Sequence, residues 1–540
     1  MDRIRFNGDW GVRRLTSPFL ELMGQAQPPT PVTLPHDWLI SQPRSAALEP
    51  GALNGFYGED VIEYVKRFEA PQGYREGRVE LEFDGIYRGA MVFVNDAFVG
   101  QRPYGYIPFS VRIDQQLREG TNEIRVECRN HLDARRYSGL GIYREAVLLV
   151  GGPVHVARNG VRIRTARADG ALAVIDVVAA LENDSNRLRT VHVVTEIVGP
   201  GGGVVAAETA VLGIRALNTS RLRQRFTVSQ PAQWDVDSPS LHTCRIRLET
   251  AELPGETNET TFGIRTLDWD VQHGLRLNGR SIKLRGGCIH HDNGPIGAAT
   301  IARAEERQVE LLKAAGYNAI RSSHNPISAA MLDACDRIGM LVMDEFTDAG
   351  TAPTAGFGYG LDLPEWWRRD LSALVERDFN HPSVVLYSIG NEVTDTGNAF
   401  DAIRGRDMVD HLKTLDDTRP ITNAINPMMT VLRELKAQLG KEDDEGGVNS
   451  FMRWVGESTQ AFAASDIATA RLEEPMSQLD VSGYNYAHSR YELDIDRHPQ
   501  RLLLGTEVAP NKLDEVWELV ERYPRTDSSR PFGSPTSRAN

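Results

Sequence analysis

The chain has 540 residues, 41% hydrophobic and 25% charged, and its 74 acidic against 60 basic side chains give a formal net charge of −14. These proportions fit a soluble globular protein and exclude a disordered or fibrous one. The length exceeds one hydrophobic core, so about three or four units of roughly 100–250 residues are expected. An acidic chain repels a polyanion, which argues against nucleic acid as a partner. No stretch approaches the roughly 18–20 apolar residues of a membrane span, so no membrane partner is expected either.

The opening Met1-Asp2-Arg3-Ile4-Arg5-Phe6-Asn7-Gly8 has no apolar run of signal-peptide type, and a cytoplasmic location is expected. Cys128, Cys244, Cys288 and Cys335 lie far apart with no Cys-x-x-Cys pair. That spacing suits neither a zinc knuckle nor a disulfide framework and predicts buried free thiols.

The first half reads as β-structure. Residues 78–84 and 121–128 alternate apolar and polar at period two, as strands with one wet face do. Between them, two apolar runs over 90–100 meet at Asn95-Asp96, a hairpin signal. Many short strands predict a β-sandwich over 1–153, punctuated by Gly151-Gly152-Pro153. A second all-β stretch over 154–263 includes a strand at 191–198 and a glycine-rich turn at 199–203. Its size suits an immunoglobulin-like sandwich.

The pattern then changes. Strands are predicted at 282–287, 318–321, 340–344, 384–389, 421–424, 480–483 and 502–505, with helices at 304–315, 329–338, 366–379 and 511–522. Apolar strands alternating with amphipathic helices mean a parallel sheet covered on both faces, and an eight-fold β/α barrel over 264–540 fits best. Its reactive groups belong just past the strand C-termini.

Polar clusters fall at those ends: His290-His291-Asp292, Arg321-Ser322-Ser323-His324-Asn325-Pro326, Asp344-Glu345, Gly390-Asn391-Glu392, Tyr484-Asn485-Tyr486 and Glu507. Taken singly, each has an ordinary reading: Asn391-Glu392 as a surface cap, His290-His291 as loop histidines, Asp344-Glu345 as the start of a solvated helix. Trp366-Trp367 reads as helix packing. Six clusters at successive strand ends outweigh those readings. Carboxylates after strands four and seven face each other across a barrel mouth, as glycoside hydrolysis requires. One protonates the leaving oxygen, and the other attacks or activates water. Histidine and glutamate show no i, i+4 spacing of a helical metal site, so a metal hydrolase is disfavoured.

These residues resemble glycoside hydrolase family 2, the β-galactosidases, β-glucuronidases and β-mannosidases. The likeness is carried by Leu277-Asn278-Gly279-Arg280, Lys283-Leu284-Arg285-Gly286, Ile320 through Pro326, Leu341-Val342-Met343-Asp344-Glu345, His381-Pro382-Ser383-Val384 and Ser388-Ile389-Gly390-Asn391-Glu392. Leu34-Pro35-His36-Asp37-Trp38 and Gly141-Ile142-Tyr143-Arg144 carry it into the first domain, so it spans about residues 6 to 523. The resemblance implies a jelly-roll sugar-binding domain, an immunoglobulin-like domain and a catalytic TIM barrel. It implies a retaining exo-β-glycosidase with Glu392 as acid/base and Glu507 as nucleophile. Asn391 then meets the sugar 2-hydroxyl, Tyr486 hydrogen-bonds Glu507, His290 and His324 contact the sugar, and Arg321 orients the carboxylates. Asp133 reaches the pocket from the first domain.

Ala349 and Thr351 stand where some β-galactosidases of the family place magnesium ligands, so no such metal and no cofactor is expected. The resemblance also implies an eighth strand with a tryptophan. After Glu507, however, the chain reads as a seventh helix and a polar Ser/Pro/Arg-rich stretch over 526–540. The barrel is therefore expected to lack that strand, and the chain alone to have low or no activity. The His290-His291-Asp292-Asn293-Gly294 form favours a β-galactosidase-like enzyme. A β-glucuronidase or β-mannosidase is the alternative within the family, and a non-catalytic carbohydrate-binding protein the one outside it. A carbohydrate is the expected ligand; a homo-oligomer stays open.

Overall fold

The computed structural model describes residues 1–17, 19, 22–25, 27–48, 51–131, 136–250, 255–350, 356–394, 396–431 and 459–523. The polar stretch over 526–540 lies outside them, as do Thr351 and Asp133.

Two sheets form the first sandwich. Six strands run in the order Thr30–Val32, Trp10–Arg14, Asp60–Glu69, Thr121–Asn130, Ala90–Val94, Ala97–Arg102, facing four in the order Asp2–Arg5, Ala146–Gly151, Arg78–Phe83, Phe109–Arg112. The alternation read from the sequence over 121–128 appears as alternating burial along Thr121–Asn130. The Asn95-Asp96 turn takes positive φ at both positions (47° and 68°), the geometry that a tight hairpin needs. The central domain pairs a three-stranded and a four-stranded antiparallel sheet around a Val/Ile/Leu core. All four cysteines are buried free thiols.

A small sheet of Leu267–Asp270, Gly274–Leu277 and Arg280–Ser281 precedes the third unit. There, seven parallel strands curl in sequence order: β1 (Gly286–Ile289), β2 (Ala319–Ser322), β3 (Leu341–Glu345), β4 (Val384–Asn391), β5 (Ile421–Ile425), β6 (Val481–Asn485) and β7 (Leu502–Glu507). Among the described residues seven helices cover them: α1 (Ala302–Ala314), α2 (Ala329–Ile338), α3 (Leu363–Asp378), α4 (Ala399–Leu415), α5 (Asp466–Ser477), α6 (Arg490–Arg497) and α7 (Leu513–Arg522). Among the described residues the sheet is a curled seven-stranded half-barrel.

The first barrel strand corrects the sequence expectation: it begins at Gly286, not 282. The Ile282-Lys283-Leu284 segment leads away from the small sheet, where Ile282 N donates to Leu275 O, and Leu284 is buried. Both ends of α2 follow local chemistry. Ser328 caps α2 by accepting from Met331 N, and Gly339 ends it in the left-handed region at φ 80°.

The three units are joined by buried polar contacts. Asp37 accepts from Ala298 N at 2.8 Å, and Arg144 donates to Pro326 O at 2.8 Å, so the first sandwich grips the loops after β1 and β2. Trp234 of the central domain, fully buried, donates Nε1–H to Asp336 O of α2 at 2.8 Å. No described helix is long and apolar enough to cross a membrane.

Candidate active site

Strand alternation decides which side chains reach the barrel mouth. On β3, Asp344 faces outward and takes Ser322 Oγ, Ile327 N and Arg377, whereas Glu345 faces inward. On β4, Asn391 faces inward at full burial. Glu392 follows with φ 46° and 8% exposure, its amide tied to Ala424 O of β5 at 2.9 Å. The end of β6 carries a register shift between Tyr484 and Asn485, which sets Asn485 opposite Glu507 of β7. Such irregularities re-aim side chains where a ladder ends.

Arg321, from β2, is the hub. Its fully buried guanidinium donates to both Glu345 oxygens at 2.8 Å, to Glu507 Oε2 at 3.2 Å, to Asn391 Oδ1 at 2.7 Å and to Thr506 O at 3.2 Å. Burial works against its charge, but Glu345 and Glu507 hold it protonated. Burial pushes Glu345 up to about 7, against the pull of Arg321.

Glu507 is further held by Asn485 Nδ2 at 3.2 Å and by the hydroxyl of Tyr486, while Asn426 Nδ2 donates to Glu392 Oε1 at 3.0 Å. Burial first, then the charges of Glu507 and Glu392, raise the Tyr486 phenol well above its usual range. One tyrosine therefore lies in the field of both carboxylates. Asn391 Oδ1 accepts from Arg321 and Asn485, which leaves its Nδ2 as the group still to be paired. That donor is buried with no hydrogen-bond partner. A buried orphan donor beside two carboxylates is a group waiting for a ligand acceptor.

His290 and His324 meet edge to face at 5.5 Å between ring centres. Burial, with Arg136, His291 and Arg321 nearby, pushes His290 down to about 3, so it is a neutral ring near pH 7. His291 instead bonds Ser138 O at 3.1 Å and packs on Tyr106, a structural role. A cavity of about 170 Å³ opens between the first domain and the loops after β1–β3, lined by Tyr104, Arg136, His290, Asp292, His324 and Asp348. It flanks the two carboxylates without including them.

The site thus gathers Glu392, Glu507, Asn391, Arg321, Tyr486, His290 and His324 at one end of the sheet; Asp133 lies outside the described residues. Sequence reading gave no role to Glu345, Asn485, Asn426 or Arg136. Glu345 and Asn485 sit inside noted clusters, and strand-end position alone marks Asn426. Trp367 is buried helix packing, as read.

Three family models match the chain: "Glycosyl hydrolase 2 galactose-binding domain-like" over 49–144, "Glycosyl hydrolases family 2" over 154–265, and "Glycosyl hydrolases family 2, TIM barrel domain" over 271–455. The chain is 35% identical over 471 residues to the β-galactosidase BoGH2A of Bacteroides ovatus, covering 84% of this chain and 53% of that one. It is 32% identical over 401 residues to a putative β-glucuronidase of Formosa agariphila, covering 73% and 37%. A crystal structure of a family 2 glycosyl hydrolase from Bacteroides cellulosilyticus superposes with a TM-score of 0.86 at 32% identity, over 98% of this chain and 64% of that one. The chain spans about half the length, or less, of these two curated relatives.

Proposed function

The chain belongs to glycoside hydrolase family 2, and from that membership we propose that it acts as a retaining exo-β-glycosidase of β-galactosidase type on terminal, non-reducing β-linked sugars. The observation that carries this reading is the pair Glu392 and Glu507, projected from β4 and β7 and both acting on one tyrosine. Glu507 Oε attacks the anomeric carbon as its bond to the leaving oxygen breaks, and Glu392 gives that oxygen its proton. Water then attacks the same carbon and loses a proton to Glu392, and Glu507 leaves as a carboxylate. Asn391 Nδ2 offers a hydrogen bond to the sugar, and the neutral ring of His290 lines its flank beside His324.

The 35% identity to a β-galactosidase supports galactose as the sugar; the 32% identity to a putative β-glucuronidase supports a second reading, with a glucuronide. Chromogenic aryl β-galactoside, β-glucuronide and β-mannoside are to be offered to the wild type and to Glu507→Gln. Release from one of them, lost in Glu507→Gln while sugar binding persists, supports the enzyme. Binding without turnover in the wild type would instead favour a carbohydrate-binding protein.

A further inference from the structure

We propose that Glu345 is a positioning residue that shares Arg321 with Glu507 and keeps that guanidinium paired when the glycosyl-enzyme forms. The inference rests on the reading of Glu507 as nucleophile.

Glu345 is fully buried and immobilised from several sides. Arg321 grips both its oxygens at 2.8 Å, Ser388 Oγ of β4 donates to Oε2 at 2.8 Å, and His324 Nδ1 lies 2.9 Å from Oε1. Its own amide donates to Ser322 Oγ at 2.7 Å. The other groups facing this cluster are Glu507 from β7, Asn391 from β4 and the Cys288 thiol from β1, 3.5 Å from Arg321 Nη1.

Charge counting gives Glu345 its purpose. With Glu345 ionised, the cluster of Glu345, Arg321 and Glu507 carries −1. When Glu507 bonds to the anomeric carbon its charge vanishes, and Glu345 with Arg321 is left neutral. With Glu345 neutral, the same step goes from 0 to +1 and strands a buried guanidinium. Burying an unpaired charge is costly, and here it would coincide with positive charge on the sugar. Ionised Glu345 therefore favours the bond-forming step. Since burial lifts this carboxyl to about 7, the benefit switches on across neutral pH.

The test is the rate at which a 2-deoxy-2-fluoro-β-galactosyl fluoride labels Glu507, read by peptide mass. Wild type is expected to label faster as pH rises between about 6 and 8. Glu345→Gln is expected to label about 10²-fold more slowly, the scale of a displaced catalytic group, with no rise over that range; Glu345→Asp recovers part of the rate. A Glu345→Gln rate within about threefold of wild type, far short of the roughly 10²-fold cost of misplacement, overturns the proposal while leaving the glycosidase reading intact. Should Glu345→Gln fail to fold by thermal melt, the wild-type profile decides: a flat one overturns the proposal. A wild type labelled by none of this reagent, its glucuronyl counterpart and its mannosyl counterpart overturns the glycosidase reading itself.

Discussion

Tyr486 is clamped to Glu507 at two points: its backbone amide donates to the Glu507 carbonyl at 2.7 Å, and its hydroxyl donates to the Glu507 carboxylate. The first bond sets the tyrosine on β7, and the second fixes the carboxylate's rotation. Tyr486→Phe keeps the first and removes the second. A hydrogen bond to a charged group contributes about 1.5–3 kcal/mol, so kcat/KM on an aryl β-galactoside should fall about 10–10²-fold with an unchanged melting temperature.

Removing Glu392, the proposed acid/base, should cost least where the leaving group needs no proton. Glu392→Ala is expected to lose about 10²–10⁴-fold on a poor leaving group such as a sugar, and far less on dinitrophenyl glycoside. Azide should restore turnover and yield a β-glycosyl azide, identified by NMR. An α-product would contradict retention.

Asn391 is held from behind by Arg321 and Asn485, with its Nδ2 left unpartnered. Asn391→Ala removes a donor that only a ligand can satisfy. kcat/KM should drop on the order of 10²–10³-fold for a substrate bearing a 2-hydroxyl. A 2-deoxy glycoside should lose much less, and equal losses on both would place the donor elsewhere.

His290 should stay neutral down to about pH 3. In the unfolded chain a histidine takes its proton near 6.5, a proton the folded ring refuses. The unfolded state then binds more protons, so stability contributed here is full above pH 6.5 and is lost progressively as pH falls toward 3. Ring nitrogen shifts of labelled protein, assigned with His290→Gln, read this directly; protonation near pH 6 would refute it.

Trp234 joins the central domain to α2 through a fully buried ring and one hydrogen bond. Trp234→Ala should destabilise by about 3–5 kcal/mol in chemical denaturation, the scale for a buried aromatic. Because the indole lies outside the cavity and the carboxylate pair, residual folded protein should keep its KM.

Periodicity carried most of the fold: the long apolar runs of β4 and β7 are continuous, so neither could be mistaken for a half-wet strand. β1 was misplaced because Ile282 and Leu284 are as apolar as a barrel strand while bonded or packed elsewhere, a tertiary fact invisible to a local pattern. Of the site, strand ends exposed both carboxylates and Arg321. Glu345 and Asn485 were visible as letters but not as partners, since their roles exist only through Arg321 and Asn391. Arg136 enters from a different domain and lines the cavity with its Nη1 3.4 Å from His290 Nδ1.

The grip of the first sandwich on the barrel loops has a kinetic meaning. Asp37 meets Ala298 across 261 residues and Arg144 meets Pro326 across 182. Closures of that span form late, after each layer has gained its own local contacts. The amino-terminal sheets leave the ribosome first, and domains generally fold as units in that order, ahead of the histidine loops. Competence therefore matures last, by docking, and a chain with every strand already formed would still lack the wall beside its carboxylates.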